Sequence, residues 1–292
     1  MTMKRKISTY LWLPLLLACF SLALTGCESD VHESEEGGLS VALAWQDEGD
    51  RTDVSDIRVW IFDAGDGSLV KAMHYSDVRT MASERYHLAS GDYKVVTAVN
   101  LTSPFSANDA ATLNDLLLSL GEASASPEHA YYGVVEAKVS SESAVVSVTD
   151  YLHRLMAELT VTVSNAPEAA VLTGTVDNAA TGFYPGTSMT NTEKAVVTIP
   201  SATAQGAVIE TKALRLMPTA RGEGKTMLSL RITDKDGHAN DFDIVGPEMS
   251  SGGKYNITLD YREMRAFMDL SSCTVDTWTD GSTESGEVLN PN

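Results

Sequence analysis

From Leu39 onward, apolar and polar residues alternate with a period close to two, the spacing of a strand with one face in a core. Val41, Leu43 and Trp45 fall on one face of a first run, and Ile57, Val59 and Ile61 on one face of the next. Asp63-Ala64-Gly65-Asp66-Gly67 has the composition of a tight turn, and these runs predict the strands of a hairpin. Gly91-Asp92 opens another run, Tyr93 to Val99, apolar at Val95, Val96, Ala98 and Val99. Apolar on both faces, it predicts a central strand between two layers.

One segment has a different period. Leu113, Leu116, Leu117 and Leu120 recur at i, i+3, i+4 and i+7 behind Thr112, with Asp115 three residues after it and Gly121 as a stop. This predicts a helix of about two turns, N-capped by Thr112 and packed on a sheet. Strand alternation resumes near His153, where Leu155, Ala157, Leu159, Val161 and Val163 face one way. It returns at Leu228, Leu230 and Ile232, and at Tyr255, Ile257, Leu259 and Tyr261. Many short strands separated by turn residues, with scarcely any helix, predict an all-β chain of two tandem antiparallel β-sandwich domains, 39–152 and 153–292, joined near 150–154.

The N-terminus breaks the pattern. Lys4, Arg5 and Lys6 precede a 14-residue apolar stretch, Tyr10 to Ala23, too short and wrongly flanked to span a bilayer. It runs into Leu24-Thr25-Gly26-Cys27, the pattern of a bacterial lipoprotein signal. Residues 1–26 are therefore expected to be removed after Gly26, with a covalent lipid on Cys27: a thioether-linked diacylglycerol and an amide-linked acyl chain such as palmitate. At roughly 0.8 kcal/mol per buried CH₂, two or three chains anchor stably where one does not. Residues 27–38 carry five acidic residues and little that could enter a core, and predict a tether.

Formal net charge is −19, and the leader holds three basic residues and no acidic one, so the exported body is more acidic still. Such a field repels phosphate backbones, and no nucleic-acid partner is expected. Of three cysteines, Cys19 lies in the leader and Cys27 is the lipidation site, leaving Cys273 as a single thiol. With no intramolecular disulfide available, stability must come from burial.

No catalytic constellation can be read from the sequence. There is neither a Gly-x-Ser-x-Gly elbow nor a His-Glu-x-x-His helix, and the six histidines are scattered. Arg221-Gly-Glu-Gly-Lys-Thr226 ends like a phosphate loop, but Thr219 stands where the first glycine belongs and Thr226 opens a β pattern. Asp234, Asp236 and Asp241, in a loop of hard oxygen donors, are the candidate calcium ligands. They lack helix-loop-helix spacing, and a hairpin turn at Asp236-Gly237 is the simpler account. Tyr131-Tyr132 and Phe183-Tyr184 offer rings for an aromatic glycan platform, although such rings more often fill cores. No catalytic residue, metal or cofactor beyond the lipid is expected.

Several segments carry a resemblance, in order along the chain: Leu24–Cys27, the run Leu39–Trp45, Val54-Ser-Asp-Ile-Arg-Val-Trp60-Ile-Phe-Asp-Ala64, Leu88-Ala-Ser-Gly91-Asp-Tyr93 through Leu101, His153-Arg154 through Val163, and Val275-Asp-Thr-Trp278-Thr-Asp-Gly281. Together they resemble the fimbrillin-associated anchor family of Bacteroides-type bacteria, of the FimB type. The resemblance implies two transthyretin-like β-sandwich domains in a non-enzymatic outer-membrane lipoprotein. Such a protein anchors or terminates a fimbrium and takes fimbrial stalk or accessory subunits as partners through β-strand addition. The acidic residues after Cys27 resemble signals for display on the cell surface.

In the resembled system, stalk precursors are cut after an arginine beyond the first strand. Arg51 occupies that position here, but a cut there would separate the body from Cys27, so an anchor implies that it stays intact. Thr279–Asn292 lacks the alternating apolar run of an inserted donor strand, which implies a terminal subunit. The alternative function is a surface lipoprotein that binds a glycan or another solute.

Overall fold

The computed structural model describes residues 37–46, 54–121, 127–140 and 145–270, and the backbone of 275–276. The first part runs β1 (Gly37–Trp45), β2 (Ile57–Asp63), β3 (Leu69–Tyr75), helix α1 (Val78–Ser83), β4 (Tyr86–Leu88), β5 (Gly91–Val99), β6 (Phe105–Ala107), a 3₁₀ turn (Leu113–Asp115), β7 (Leu118–Leu120), β8 (Tyr131–Val139) and β9 (Val145–Arg154). The second runs β10 (Ala157–Ser164), β11 (Val171–Ala180), β12 (Gly182–Tyr184), β13 (Met189–Thr190), β14 (Lys194–Thr203), β15 (Val208–Glu210) and β16 (Leu214–Leu216). It ends with β17 (Lys225–Thr233), β18 (Ala239–Pro247), β19 (Lys254–Asp260), β20 (Phe267–Asp269) and β21 (Val275–Asp276).

Seven strands of the first part form one sheet, ordered β3-β2-β5-β8-β9-β1-β4. Strands β8 and β9 pair only at Tyr131–Arg154 and Tyr132–His153. Around this short joint the sheet makes two layers, and a core of Leu39, Val41, Leu43 and Trp45 from β1 meets Ile57, Val59 and Ile61 from β2 and Val95 and Val99 from β5. The turn at Asp63–Gly67 joins β2 to β3, not to β1, which lies in the opposite layer. In the second part, β14-β11-β17-β18-β20 packs on β15-β10-β19-β21, with β16 also on β10. Leu159, Val161, Leu172, Leu228, Leu230 and Ile257 fill the space between. The fold is thus all-β, in tandem β-sandwiches.

Antiparallel pairing does not hold throughout. Strand β1 runs parallel to β9, and β10 parallel to β19. In both cases the paired strands are far apart in sequence, so the intervening strands provide the crossover that a parallel pair needs. Strand β1 also begins at Gly37, inside the segment expected to be tether. Gly37 and Gly38 align with Leu88 and His87 of β4 through the backbone, which requires no apolar side chain.

A third, four-stranded sheet, β13-β12-β7-β6, takes strands from both parts. Its core joins Trp60, Phe62, Val96 and Ala98, on the outer face of β2 and β5, to Phe183, Met217 and Ala220 from the second part. Both faces of β5 are therefore buried, as its sequence predicts.

The leucine segment differs from expectation. Thr112 Oγ1 and Asp115 Oδ2 do bond, at 2.7 Å, but only one 3₁₀ turn follows. Leu116 is already extended, at φ −66°, ψ 112°. Asn108 Oδ1 accepts the Leu117 amide at 2.8 Å, and Leu118–Leu120 becomes β7 between β6 and β12. Strand pairing outweighs two turns of helix because it buries Leu118 and Leu120 and satisfies the backbone from both sides. Among the described residues the one α-helix is α1, N-capped by Asp77 through the Thr80 amide at 2.9 Å. It places Met81 in the first core.

Candidate functional site: an internal first strand and a cleft at the seam

Strand β1 is flanked on both sides at its start and is held along the rest of its length by β9. From Gly38 to Trp45 it is in register with Val145 to Leu152 of β9, while Gly37 to Leu39 pair with β4 on the other side. Leu39, Leu43 and Ala44 are fully buried, and Val41 and Trp45 almost so. Trp45 meets Tyr131 edge-on at 4.9 Å between ring centres, and the Ser40 and Ser147 hydroxyls bond at 2.8 Å. Removing this strand would unpair two neighbours and open an apolar groove. The ends of the same sheet are β3, seven residues long, which pairs with β2 alone among the described strands, and the three-residue β4, which pairs with β1 alone among them.

Gly26, Cys27 and Arg51, and also Cys273, lie outside the described residues. The candidate calcium loop is the β17–β18 turn. Asp234 Oδ1 accepts the Asp236 and His238 amides, both at 2.9 Å. The His238 amide is the main reason that the Asp234 carboxyl is held below its ordinary range. Asp236 and His238 have ligand atoms within 4.8 Å of Asp234. Asp241 does not join them: it stands on β18, clamped by Arg231 at 2.6 and 2.9 Å. Hairpin register sends its side chain to the cross-strand arginine, not to the turn.

The aromatic platform does not form either. Tyr131, Tyr132 and Phe183 are buried. Tyr132 packs on Phe183 at 4.8 Å, inside the core that joins the two parts. Only Tyr184 is left partly exposed. It borders a cleft of ≈ 480 Å³ with Asn108, Asn114, Asp115, Thr187 and Arg221. A second cleft of ≈ 480 Å³, over Tyr132 and Phe183, also reaches Arg221 and includes Glu248. The Arg221 guanidinium is exposed where the two clefts adjoin and has no partner among the described residues. Sequence reasoning passed over it because the loop around it is neither apolar nor periodic.

Residues 31–280 match the sequence profile of the fimbrillin-A associated anchor proteins Mfa1 and Mfa2. The chain belongs to this family. The fimbrial anchor protein Mfa2 from Porphyromonas gingivalis has a similar structure, with TM-score 0.51 and 17% identity over 77% of this chain and 90% of that one. Structures of a proposed polysaccharide-binding protein from Bacteroides thetaiotaomicron (TM-score 0.54, 14% identity, 83% and 97% covered) and a proposed cell adhesion protein from Parabacteroides distasonis (TM-score 0.53, 13% identity, 80% and 91% covered) are also similar. At these identities the likeness is one of fold. No curated protein matches the sequence. Membership of this family associates the chain with fimbrial anchoring at the cell envelope. No helix among the described residues is long and apolar enough to cross a membrane.

Proposed function

We propose that this protein is an outer-membrane lipoprotein, held through lipid on Cys27 and displayed at the surface. It anchors or terminates a fimbrium and receives a stalk or accessory subunit by β-strand addition. The observation that carries this reading is the burial of β1 in the first core and its pairing with β9 from Gly38 to Trp45. Its side chains Leu39, Val41, Leu43 and Trp45 are each worth roughly 1.5–3 kcal/mol when buried, so together they rival the stability of an ordinary domain. A subunit that keeps this strand has no vacated groove, and its chain stays continuous from Cys27 to the body. Beyond Leu69, whose amide bonds the Ala111 carbonyl, the outer side of β3 supplies backbone groups for a partner strand. Mass spectrometry of protein taken from cells tests the reading: a lipidated Cys27 N-terminus is expected, and a dominant N-terminus at Thr52 would exclude an anchor.

A second reading, solute binding, is favoured by the cleft at Tyr184. One accessible ring beside an unpaired guanidinium and amide side chains is suited to stacking on a sugar and bonding its hydroxyls. Glycan-array binding that disappears in Tyr184→Ala and Arg221→Ala would support it, and an array without signal would remove it.

A further inference from the structure

Asp150 lies within β9 and has no solvent-exposed surface. It shares a strand face with Val146, Val148 and Leu152, which pack into the first core, and it is aligned with Leu43 of β1. Thr97 of β5 and Gly133 of β8, themselves a cross-strand pair, lie against it. A methyl group on Gly133 would overlap the Asp150 carboxyl, so the missing side chain at 133 is what makes room for the acid. Neither carboxyl oxygen has a hydrogen-bond partner, and the Thr97 hydroxyl has none either. An apolar core rarely retains such a group unless it can become neutral.

The surroundings offer no compensating charge. From β1 come only apolar side chains and the Ser40 hydroxyl, and from α1 comes Met81. From β3, β4, β5 and β8 come the phenols of Tyr75, Tyr86, Tyr93 and Tyr131, all pushed up by burial, with Asp63 beside Tyr93. His129, four residues before Gly133, is lowered by burial. Arg154 is four residues along β9, about 13 Å away by strand rise. No ion pair reaches Asp150 among the described residues. Burial pushes its carboxyl up to about 7, and the Thr97 hydroxyl and amide pull against this without closing a well-formed hydrogen bond.

The geometry points to Asp150 as a proton-operated latch on the first strand: neutral, it seats between Thr97 and Gly133 and closes β9 and β1 onto β5 and β8; ionised, it loosens them. This regulation rests on the reading that retention of β1 decides what the subunit does. The folded state binds this proton more tightly than an unfolded chain, whose aspartates titrate near ~3.9. The stabilisation is therefore complete below that value, declines as pH rises through neutrality, and is gone above the folded value.

Hydrogen exchange of the Ser40–Ala44 amides in the full chain, corrected for intrinsic rates, tests this at about pH 5.5 and about pH 8. Protection is expected to fall by at least about tenfold, the equivalent of one pKa unit, and Asp150→Asn should abolish the fall. Equal protection at both pH values in the unsubstituted chain, or an undiminished fall in Asp150→Asn, would overturn the latch. Thr97→Val, which removes a group that favours the ionised form, should move the midpoint to higher pH even if Asp150→Asn does not fold; an unmoved midpoint would also overturn it. Because exchange reads the strand directly, a flat result leaves the anchor reading standing, and that reading fails separately on its N-terminus.

Discussion

At the scale of single residues, the structure turns on places where one atom decides the packing. Gly133 has no room for a side chain because Asp150 occupies that space, so Gly133→Ala should cost about 1–3 kcal/mol in urea unfolding. In an Asp150→Ala background the same change should cost clearly less, the non-additivity expected of two groups competing for one volume. Asp150 had a sequence signal, an acid in the inward register of Val146, Val148 and Leu152, but alternation alone does not distinguish a buried acid from a turned-out one. Cys27 is the opposite case. Its proposed lipidation rests on the residues before it alone, and Cys27→Ser is expected to fold normally yet leave the membrane fraction, since the lipid is the proposed attachment. Continued membrane retention on fractionation would count against that attachment. Asp234 spends one carboxyl oxygen on turn amides, so calcium or a chelator should leave the melting temperature unchanged.

At the scale of elements, strands were legible wherever one face meets a core and the other meets water. Leu228, Leu230 and Ile232 point inward as their spacing predicts. The segment after Thr112 shows where that logic ends: four leucines at helical spacing also fit a 3₁₀ turn followed by a strand, and the partners on β6 and β12 decide between them. The two alternatives bury different residues. A helix would bury Leu117, whereas the structure half-buries Leu117 and fully buries Leu118. Leu118→Ala should therefore cost about 2–5 kcal/mol, and Leu117→Ala markedly less, as measured by chemical denaturation. Parallel pairing of β1 with β9 was out of reach for a similar reason, because period two specifies a strand's faces and not its neighbours.

At the scale of the whole molecule, the third core ties the two sandwiches together. Phe183, Met217 and Ala220 lie against Trp60, Val96 and Tyr132, so a chain cut after Leu152 would expose much of that surface. Residues 37–270 are expected to melt in one cooperative transition by calorimetry; two well-separated transitions would show that this core contributes little. In the proposed processed and lipidated form Cys273 is the single thiol, so reductant should not shift the melting of a monomeric sample. The sequence by itself determined the β class, the acidic balance and the family, and it carries the pattern on which the proposed lipidation rests, since each depends on local order or composition. Tertiary structure alone decided that β1 runs parallel to β9 in the core, that Asp241 pairs with Arg231, that three of the four candidate glycan rings are core, and that Asp150 stands unpartnered opposite Gly133. These are outcomes of which strands meet, and the energies that select them arise between residues from 10 to 107 positions apart.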